Sequence, residues 1–266
     1  MPEIHSTAIV APGARLADDV VIGPYCVIGE NVSLAAGVVL QSHVVVEGRT
    51  TIGERTRIFP FASIGLEPQD LKYDGEKSSL VIGRDNTIRE HVTMNPGTAG
   101  GGMMTRIGDN GLFMVGVHVA HDCQIGDHVI MANNATLAGH VVVEDFALLG
   151  GLSAVHQFVR IGRHAMIGGM SGVERDVIPY GQVMGDRARL SGLNIIGMQR
   201  RGFSRDDIQA LRSAYQFLFS ADGTFNDRVN EIAERFGGVG PVDDIIAFIR
   251  ADSTRAICQP KGPNGG

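Results

Sequence analysis

The stretch "VHVAHDCQIG", Val117 to Gly126, places His118, His121, Asp122 and Cys123 within ten residues. An imidazole exchanges a proton near neutral pH, and a carboxylate beside it fixes its tautomer and favours its charged form. His121 and Asp122 are therefore a candidate base and orienting acid. Neighbouring side chains on a flat strand point to opposite faces, so the two meet only if a turn falls between them. Two other uses of the same residues stay open: several imidazoles converging at about 2 Å hold zinc, and histidines also serve as ordinary packing residues in polar turns. Cys123 has no partner that would give it a ligand or nucleophile role.

The chain around this stretch keeps a six-residue beat. From Ile4 an aliphatic residue returns at Val10, Leu16, Ile22, Ile28, Leu34, Leu40, Val46, Ile52, Ile58 and Ile64. The beat resumes at Ile82, Ile88 and Met94, shifts phase, and runs from Ile107 through Phe113, Val119, Ile125 and onward to Val173. Glycine often follows the aliphatic residue, as in "IGENVS" and "IGDHVI", which suits a turn residue with positive φ. Six residues match neither a 3.6-residue helix nor a heptad. Short strands joined by tight turns, each burying its apolar face only against its neighbours, form a β-solenoid.

Two segments interrupt the beat, "LEPQDLKYDGEKSS" from Leu66 to Ser79 and "GTAGGGMMT" from Gly97 to Thr105. Both read as loops leaving the solenoid, either passive insertions or carriers of binding groups. After Val173 the pattern becomes helical. Ser204 with Asp206 and Asp207 starts one helix, Thr224 precedes a second, and Pro241 opens a third in its first turn. Such helices would cover one open end of the solenoid. The expected division is a solenoid over 1–190 with loops near 66–79 and 97–105, helices over 191–259, and a disordered tail over 260–266, the stretch "CQPKGPNGG" from Cys258 being read as disordered.

Composition narrows the function classes. A net charge of -6 over 266 residues leaves no general basic footprint, so nucleic acid is not an expected partner. Three scattered cysteines suit reduced thiols rather than a disulfide framework. The N-terminus has no basic lead into an apolar run and no segment reaches about 18 continuous apolar residues, so a cytoplasmic protein without membrane insertion is expected.

With these hexads the chain resembles the hexapeptide-repeat acyltransferases, which implies a left-handed parallel β-helix with three hexads per triangular coil. Residues 18 apart would then lie one above another, about 4.8 Å apart. From His121 the next coil brings Gly139, beside His140, and the one after brings Gln157, beside His156.

Longer stretches, "HVAHDC", "ANNATLAGHV", "GGLSAVHQF", "IGGMSGV", "QDLKYDGE" and "RRGFS", resemble the UDP-N-acetylglucosamine acyltransferase family over nearly the whole chain. The resemblance implies transfer of a 3-hydroxyacyl chain from acyl carrier protein to the 3-hydroxyl of UDP-N-acetylglucosamine, in lipid A biosynthesis. It implies a homotrimer with sites between subunits, no cofactor and no metal. His121 matches the general base, Asp122 its orienting carboxylate, and Gly139 the backbone donor to the oxyanion. His118, His140, His156, Gln157, Asp70, Lys72, Arg200 and Arg201 match residues around the nucleotide sugar. Asn194 matches an acyl-chain or pantetheine contact, and Gly169 the residue that limits chain length. Two departures stand out: "NIIG" puts Ile196 where an acidic group is common, and "VTMNPGT" puts Asn95 and Pro96 where a basic pair is common. They bear on sugar specificity, including a 3-amino acceptor that would give an amide. The competing readings are an N-acyltransferase of the same pathway, a zinc-dependent carbonic anhydrase-like enzyme and a non-enzymatic scaffold.

Overall fold

The computed structural model describes residues 1–220 and 223–261. Each hexad forms a two-residue strand and a turn, for example Gln124–Ile125, Ile130–Met131 and Thr136–Leu137. The second residue of each strand points inward, and Met131 and Leu137 are wholly buried. A second inward position at the turn takes smaller side chains such as Cys123, Val129, Ala135 and Val141. Each fully buried aliphatic side chain contributes roughly 1.5–3 kcal/mol, which is why the beat is kept so strictly.

Strand n pairs with strand n+3 in parallel, as His118 with Thr136 and Thr136 with Ala154. The result is a left-handed parallel β-helix with three walls. Among the described residues the walls are sheets of 11, 9 and 8 strands. The first contains Ile130–Met131 and Leu148–Leu149, the second His118–Val119 and Thr136–Leu137, and the third Gln124–Ile125 and Val142–Val143.

Apart from Gly65 (φ 81°) at the start of the first loop, positive φ does not fall on the glycines that follow the aliphatic residues, contrary to the sequence expectation. It falls two positions later on larger residues, such as His128 (φ 57°), Phe146 (62°) and Asp122 (60°). The glycines answer a different demand. A Cβ on Gly126 would lie 2.2 Å from Asp145 Oδ1 and 2.8 Å from its backbone nitrogen, so the next coil leaves no room for a side chain.

The two interruptions leave from one edge. The first follows Ser63–Ile64 of the second wall and ends at Ser79–Ile82 of the third; the second follows Thr93–Met94 and ends at Met104–Ile107. Ser79, Met104 and Thr105 therefore belong to strands rather than to the loops. The turn holding His121 and Asp122 lies on that same edge, between His118–Val119 and Gln124–Ile125.

A different edge, between third and first walls, is built from rings. His128 stacks on Phe146 at 4.7 Å, Phe146 on His164 at 4.8 Å, and His164 on Tyr180 at 5.2 Å. The helices dock here. Helix α1 is Ile195–Arg200, α2 Arg205–Leu218, α3 Phe225–Phe236 and α4 Gly240–Arg250. Ser204 caps α2 by accepting from the Asp207 nitrogen, Thr224 and Asp227 form a capping box on α3, and Pro241 sits in the first turn of α4. Phe203 meets the His164 and Tyr180 rings edge-on, and the Tyr180 hydroxyl donates to Asp244 of α4.

The tail expectation needs correction at its start. Cys258 is 1% exposed, its nitrogen donates to Asp176 O at 2.7 Å, and Pro260 bridges to Leu190. Apolar burial and backbone pairing hold 258–260 where composition alone suggested disorder. Residues 262–266 lie outside the described residues.

Candidate active site

Asp122 occupies the left-handed slot of its turn, and this bend brings its carboxylate back under the preceding imidazole. His121 Nδ1 lies 2.8 Å from Asp122 Oδ2, with the Asp122 side chain fully buried and that of His121 15% exposed. The carboxylate has other donors: Thr98 N reaches Oδ1 at 2.9 Å and Thr98 Oγ1 reaches Oδ2 at 2.6 Å. The Asp122 backbone nitrogen donates to Thr105 Oγ1 at 2.7 Å. A carboxylate held by donors in this way is an acceptor, so His121 Nδ1 carries the proton toward it and Nε2 keeps its lone pair. Among the described residues Nε2 has no hydrogen-bond partner.

The next coil supplies Gly139 against this ring. A Cβ there would lie 2.5 Å from His121 Cε1 and 2.7 Å from Nε2, so the backbone approaches the imidazole as only glycine allows. The Gly139 N–H finds no acceptor among the described residues, leaving a backbone donor beside the lone pair of His121. His140, one residue on, meets the His121 ring edge-on at 5.0 Å and stacks on Phe158 at 4.3 Å. His118 is fixed by Thr93 Oγ1 at 2.7 Å from its Nδ1.

Electrostatics keep the flanking rings neutral. Burial, then the charge of His121, lowers the pKa of His118. Burial also lowers that of His140, outweighing the carboxylates of Asp122 and Asp70. Cys123 is wholly buried and its thiol is pushed up to about 12 by burial, so it is no nucleophile at neutral pH. Nitrogen and oxygen atoms of His121, Asp122 and His140 lie within 4.8 Å of one another and could in geometry hold a metal ion. Both Asp122 oxygens are already taken by Thr98 and His121, which makes that donor set a poor fit.

Of the other residues singled out in the sequence, some gather here and some do not. Asp70 and Lys72 sit on the first loop, where the Lys72 backbone N–H donates to Asp70 Oδ1 at 3.0 Å, and the Asp70 charge is felt at His140. His156 and Gln157 lie higher on the same edge, clasped by Arg255 through His156 Nδ1 at 2.8 Å and Gln157 O at 3.1 Å. Asn194, Arg200 and Arg201 are elsewhere. They line a cleft of about 680 Å³ between the first wall and α1, where Arg201 lies over the Phe146 ring at 4.5 Å. Asn194 caps α1 and donates to His164 O at 2.9 Å. Gly169 lies on the third edge, between first and second walls, 3.3 Å by its notional Cβ from Gly151 O. A single chain thus divides the residues among its three edges.

The departures have structural settings of their own. Asn95 is buried and donates from Nδ2 to Leu66 O and Glu67 O, stapling the base of the first loop. Pro96 lines a cleft of about 660 Å³ beneath that loop. Ile196 is 64% exposed beside the Asn194 cleft. Sequence reasoning passed over Thr98 and Glu76, which lie within the loop interruptions, and Thr105, which stands one position short of a full coil before Asp122. The sole hint was the hydroxyl of Thr98 in "VTMNPGT".

Comparison with known proteins places the chain in a family. A family profile described as "Bacterial transferase hexapeptide (six repeats)" matches residues 104–139, and one described as "Udp N-acetylglucosamine O-acyltransferase; Domain 2" matches 176–258. The chain is 54% identical over 258 residues to the acyl-[acyl-carrier-protein]–UDP-N-acetylglucosamine O-acyltransferase of Caulobacter vibrioides, covering 97% of this chain and 98% of that one. It is 55% identical over 257 residues to the enzyme of the same name from Azorhizobium caulinodans, covering 97% and 95%. The solved UDP-N-acetylglucosamine acyltransferase of Campylobacter jejuni superposes with a TM-score of 0.91 at 40% identity, covering 97% and 99%. By sequence, fold and extent of match, the chain belongs to the acyl-[acyl-carrier-protein]–UDP-N-acetylglucosamine O-acyltransferase family.

Proposed function

We propose that this protein transfers a 3-hydroxyacyl group from acyl carrier protein to the 3-hydroxyl of UDP-N-acetylglucosamine in lipid A biosynthesis, with His121 as general base. The observation that carries the reading is the His121 imidazole, bonded through Nδ1 to the buried Asp122 carboxylate, with Nε2 open beside the unpaired Gly139 N–H. Nε2 takes the proton from the sugar hydroxyl as its oxygen attacks the thioester carbonyl carbon. Asp122 holds the tautomer and stabilises the imidazolium. Negative charge then develops on the former carbonyl oxygen, where the Gly139 N–H is a fixed donor. Collapse of the tetrahedral intermediate breaks the carbon–sulfur bond, and the departing thiolate takes the proton back from His121.

Asp70, Lys72, His118, His140, His156 and Gln157 would surround the nucleotide sugar, with Arg200 and Arg201 supplying cationic forks for its diphosphate. Asn194 and Gly169 would contact the acyl chain. Since these residues lie on different edges of one chain, the reading includes a homotrimer whose sites form between neighbouring copies. Among the described residues no helix is long and apolar enough to cross a membrane; we place the protein in the cytoplasm, where both substrates would reach it.

His121→Ala is expected to lower kcat/KM with 3-hydroxyacyl carrier protein and UDP-N-acetylglucosamine by about 10³-fold or more, at unchanged melting temperature and assembly. Turnover within tenfold of the unaltered protein would remove His121 from the base role. Running the same assay with a 3-amino sugar nucleotide decides between ester and amide products.

A further inference from the structure

The buried face of the second loop closes on the carboxylate that orients His121. Thr98 is 4% exposed and gives Asp122 two hydrogen bonds, one from its nitrogen and one from its hydroxyl. The loop folds back on the same residue, because the nitrogens of Gly101 and Met103 both donate to Thr98 O, at 3.1 and 3.0 Å. Gly101 packs so tightly that a Cβ there would fall 2.0 Å from Asp122 Cγ. With Thr98 on both oxygens, the carboxylate has one rotation left, and that rotation aims Oδ2 at His121 Nδ1.

The first loop holds this clamp in place. Glu76 Oε1 accepts from the Ala99 nitrogen at 2.9 Å and Oε2 from the Asp74 nitrogen at 2.9 Å. These backbone donors keep its carboxyl below the usual range, so the tie is ionic at neutral pH. A path therefore leads from the loop bearing Asp70 and Lys72, by the Glu76–Ala99 hydrogen bond and the Thr98–Ala99 peptide link, to the Thr98, Asp122 and His121 hydrogen bonds.

We propose that Thr98 is a positioning residue for the His121–Asp122 pair, and that Glu76 couples it to the Asp70 and Lys72 loop, so that ordering of that loop by the nucleotide sugar also tightens the base. The inference rests on His121 being the base. Other groups facing the pair are His118, His140, on which the Asp70 charge also acts, and the Thr105 hydroxyl, none of which contacts both Asp122 oxygens.

The test uses the full-length protein with acyl carrier protein thioester and UDP-N-acetylglucosamine. Thr98→Val is expected to lower kcat about 10- to 100-fold with KM values changed less than about twofold, because orientation of a catalytic group is lost and binding is not. Thr98→Ser, which keeps the hydroxyl, is expected to recover kcat to within about threefold. Gly101→Ala displaces the Asp122 carboxylate while leaving Thr98 intact, and lowers kcat in the same way; it stands in if Thr98→Val does not fold. Glu76→Ala is expected to lower kcat about threefold to tenfold and to raise KM for the nucleotide sugar. In the double variant the kcat loss should match that of Thr98→Val alone, as expected of residues acting through one path. Wild-type kcat in both Thr98→Val and Gly101→Ala, with His121→Ala inactive, overturns the clamp alone. Turnover in His121→Ala overturns the base assignment itself. Additive losses in the double variant overturn the coupling through Glu76.

Discussion

Two edges of the same prism use one backbone slot for opposite ends. On the edge between second and third walls, the left-handed position holds Asp122 (φ 60°), His140 (63°) and Phe158 (65°) in successive coils. On the edge between third and first walls, it holds His128 (57°), Phe146 (62°) and His164 (56°). The backbone is the same; the neighbours differ. On the ring edge each slot stacks on the next, Phe203 and α4 cover the stack, and the His164 Nδ1 is buried without a partner. On the site edge, loops enter where helices would otherwise pack: the Asp122 carboxylate is satisfied by Thr98 and His121, and the His140–Phe158 stack in the next two coils stops short of it. The solenoid thus fixes where a side chain stands, and what arrives at its edge decides whether that position stabilises or reacts.

The largest way to break this contrast is to fill the space between coils on the site edge. Gly139→Ala would drive a methyl group into the His121 ring, whose Cε1 lies 2.5 Å from the notional Cβ. A displacement of about 1 Å at a catalytic group costs on the order of 10²-fold, so kcat should fall by about that factor. Thermal melting should change little, because the disturbed ring stands outside the apolar core of the solenoid. Wild-type kcat in Gly139→Ala would show that the close approach of the two coils does no catalytic service.

How far the sequence foretold each edge follows from register. Wherever coils run uninterrupted, spacing was enough: His121 and Gly139, 18 positions apart, meet as expected. Thr98 and Asp122 are separated by a loop of irregular length, so no periodicity could pair them, and the hydroxyl meets the carboxylate only once the loop is folded. Helices α2, α3 and α4 carry caps or a first-turn proline that can be read directly. Helix α1 has six residues, with Gly197 within it, and was not anticipated; its cap, Asn194, had been read only for an acyl contact. The ring ladder also escaped notice, because its members look like polar turn residues until the left-handed slot stacks them. The glycines were assigned to φ when the constraint was contact between coils.

The ring edge can be tested by acid. Burial, assisted by Arg201 and Arg163, lowers the His164 pKa from 6.5 to about 4. Between these values the unfolded chain binds a proton that the folded chain does not, so stability is full above about pH 6.5 and falls as pH drops toward about 4. The shift corresponds to a loss on the order of 3 kcal/mol at the acid end. His164→Phe keeps the stack, since Phe146 and Phe158 already occupy the same slot, and removes the titration. The variant should lose less stability than the unaltered protein between pH 6.5 and 4, as read by urea midpoints. Parallel acid profiles would mean that the ladder is not where the proton is felt.

The smallest expected change lies on the third edge and asks whether the site edge is complete in one chain. Gly169 and His121 flank the second wall on opposite sides, yet both belong to the proposed site, so they can serve one substrate only if they come from neighbouring copies. The nearest atoms to a Cβ on Gly169 are Gly151 O at 3.3 Å and Gly151 N at 3.9 Å, and the adjacent Met170 is already 75% exposed. Gly169→Met should therefore leave folding within about 0.5 kcal/mol, detectable as an unchanged melting temperature. Its effect should be confined to the donor: a thioether projecting from this edge would shorten the slot for the acyl chain and shift preference among carrier protein thioesters toward shorter chains, with kcat for the preferred donor kept. A chain-length profile identical to that of the unaltered protein would detach this edge from the site, and with it the argument that the divided residues converge across a subunit boundary.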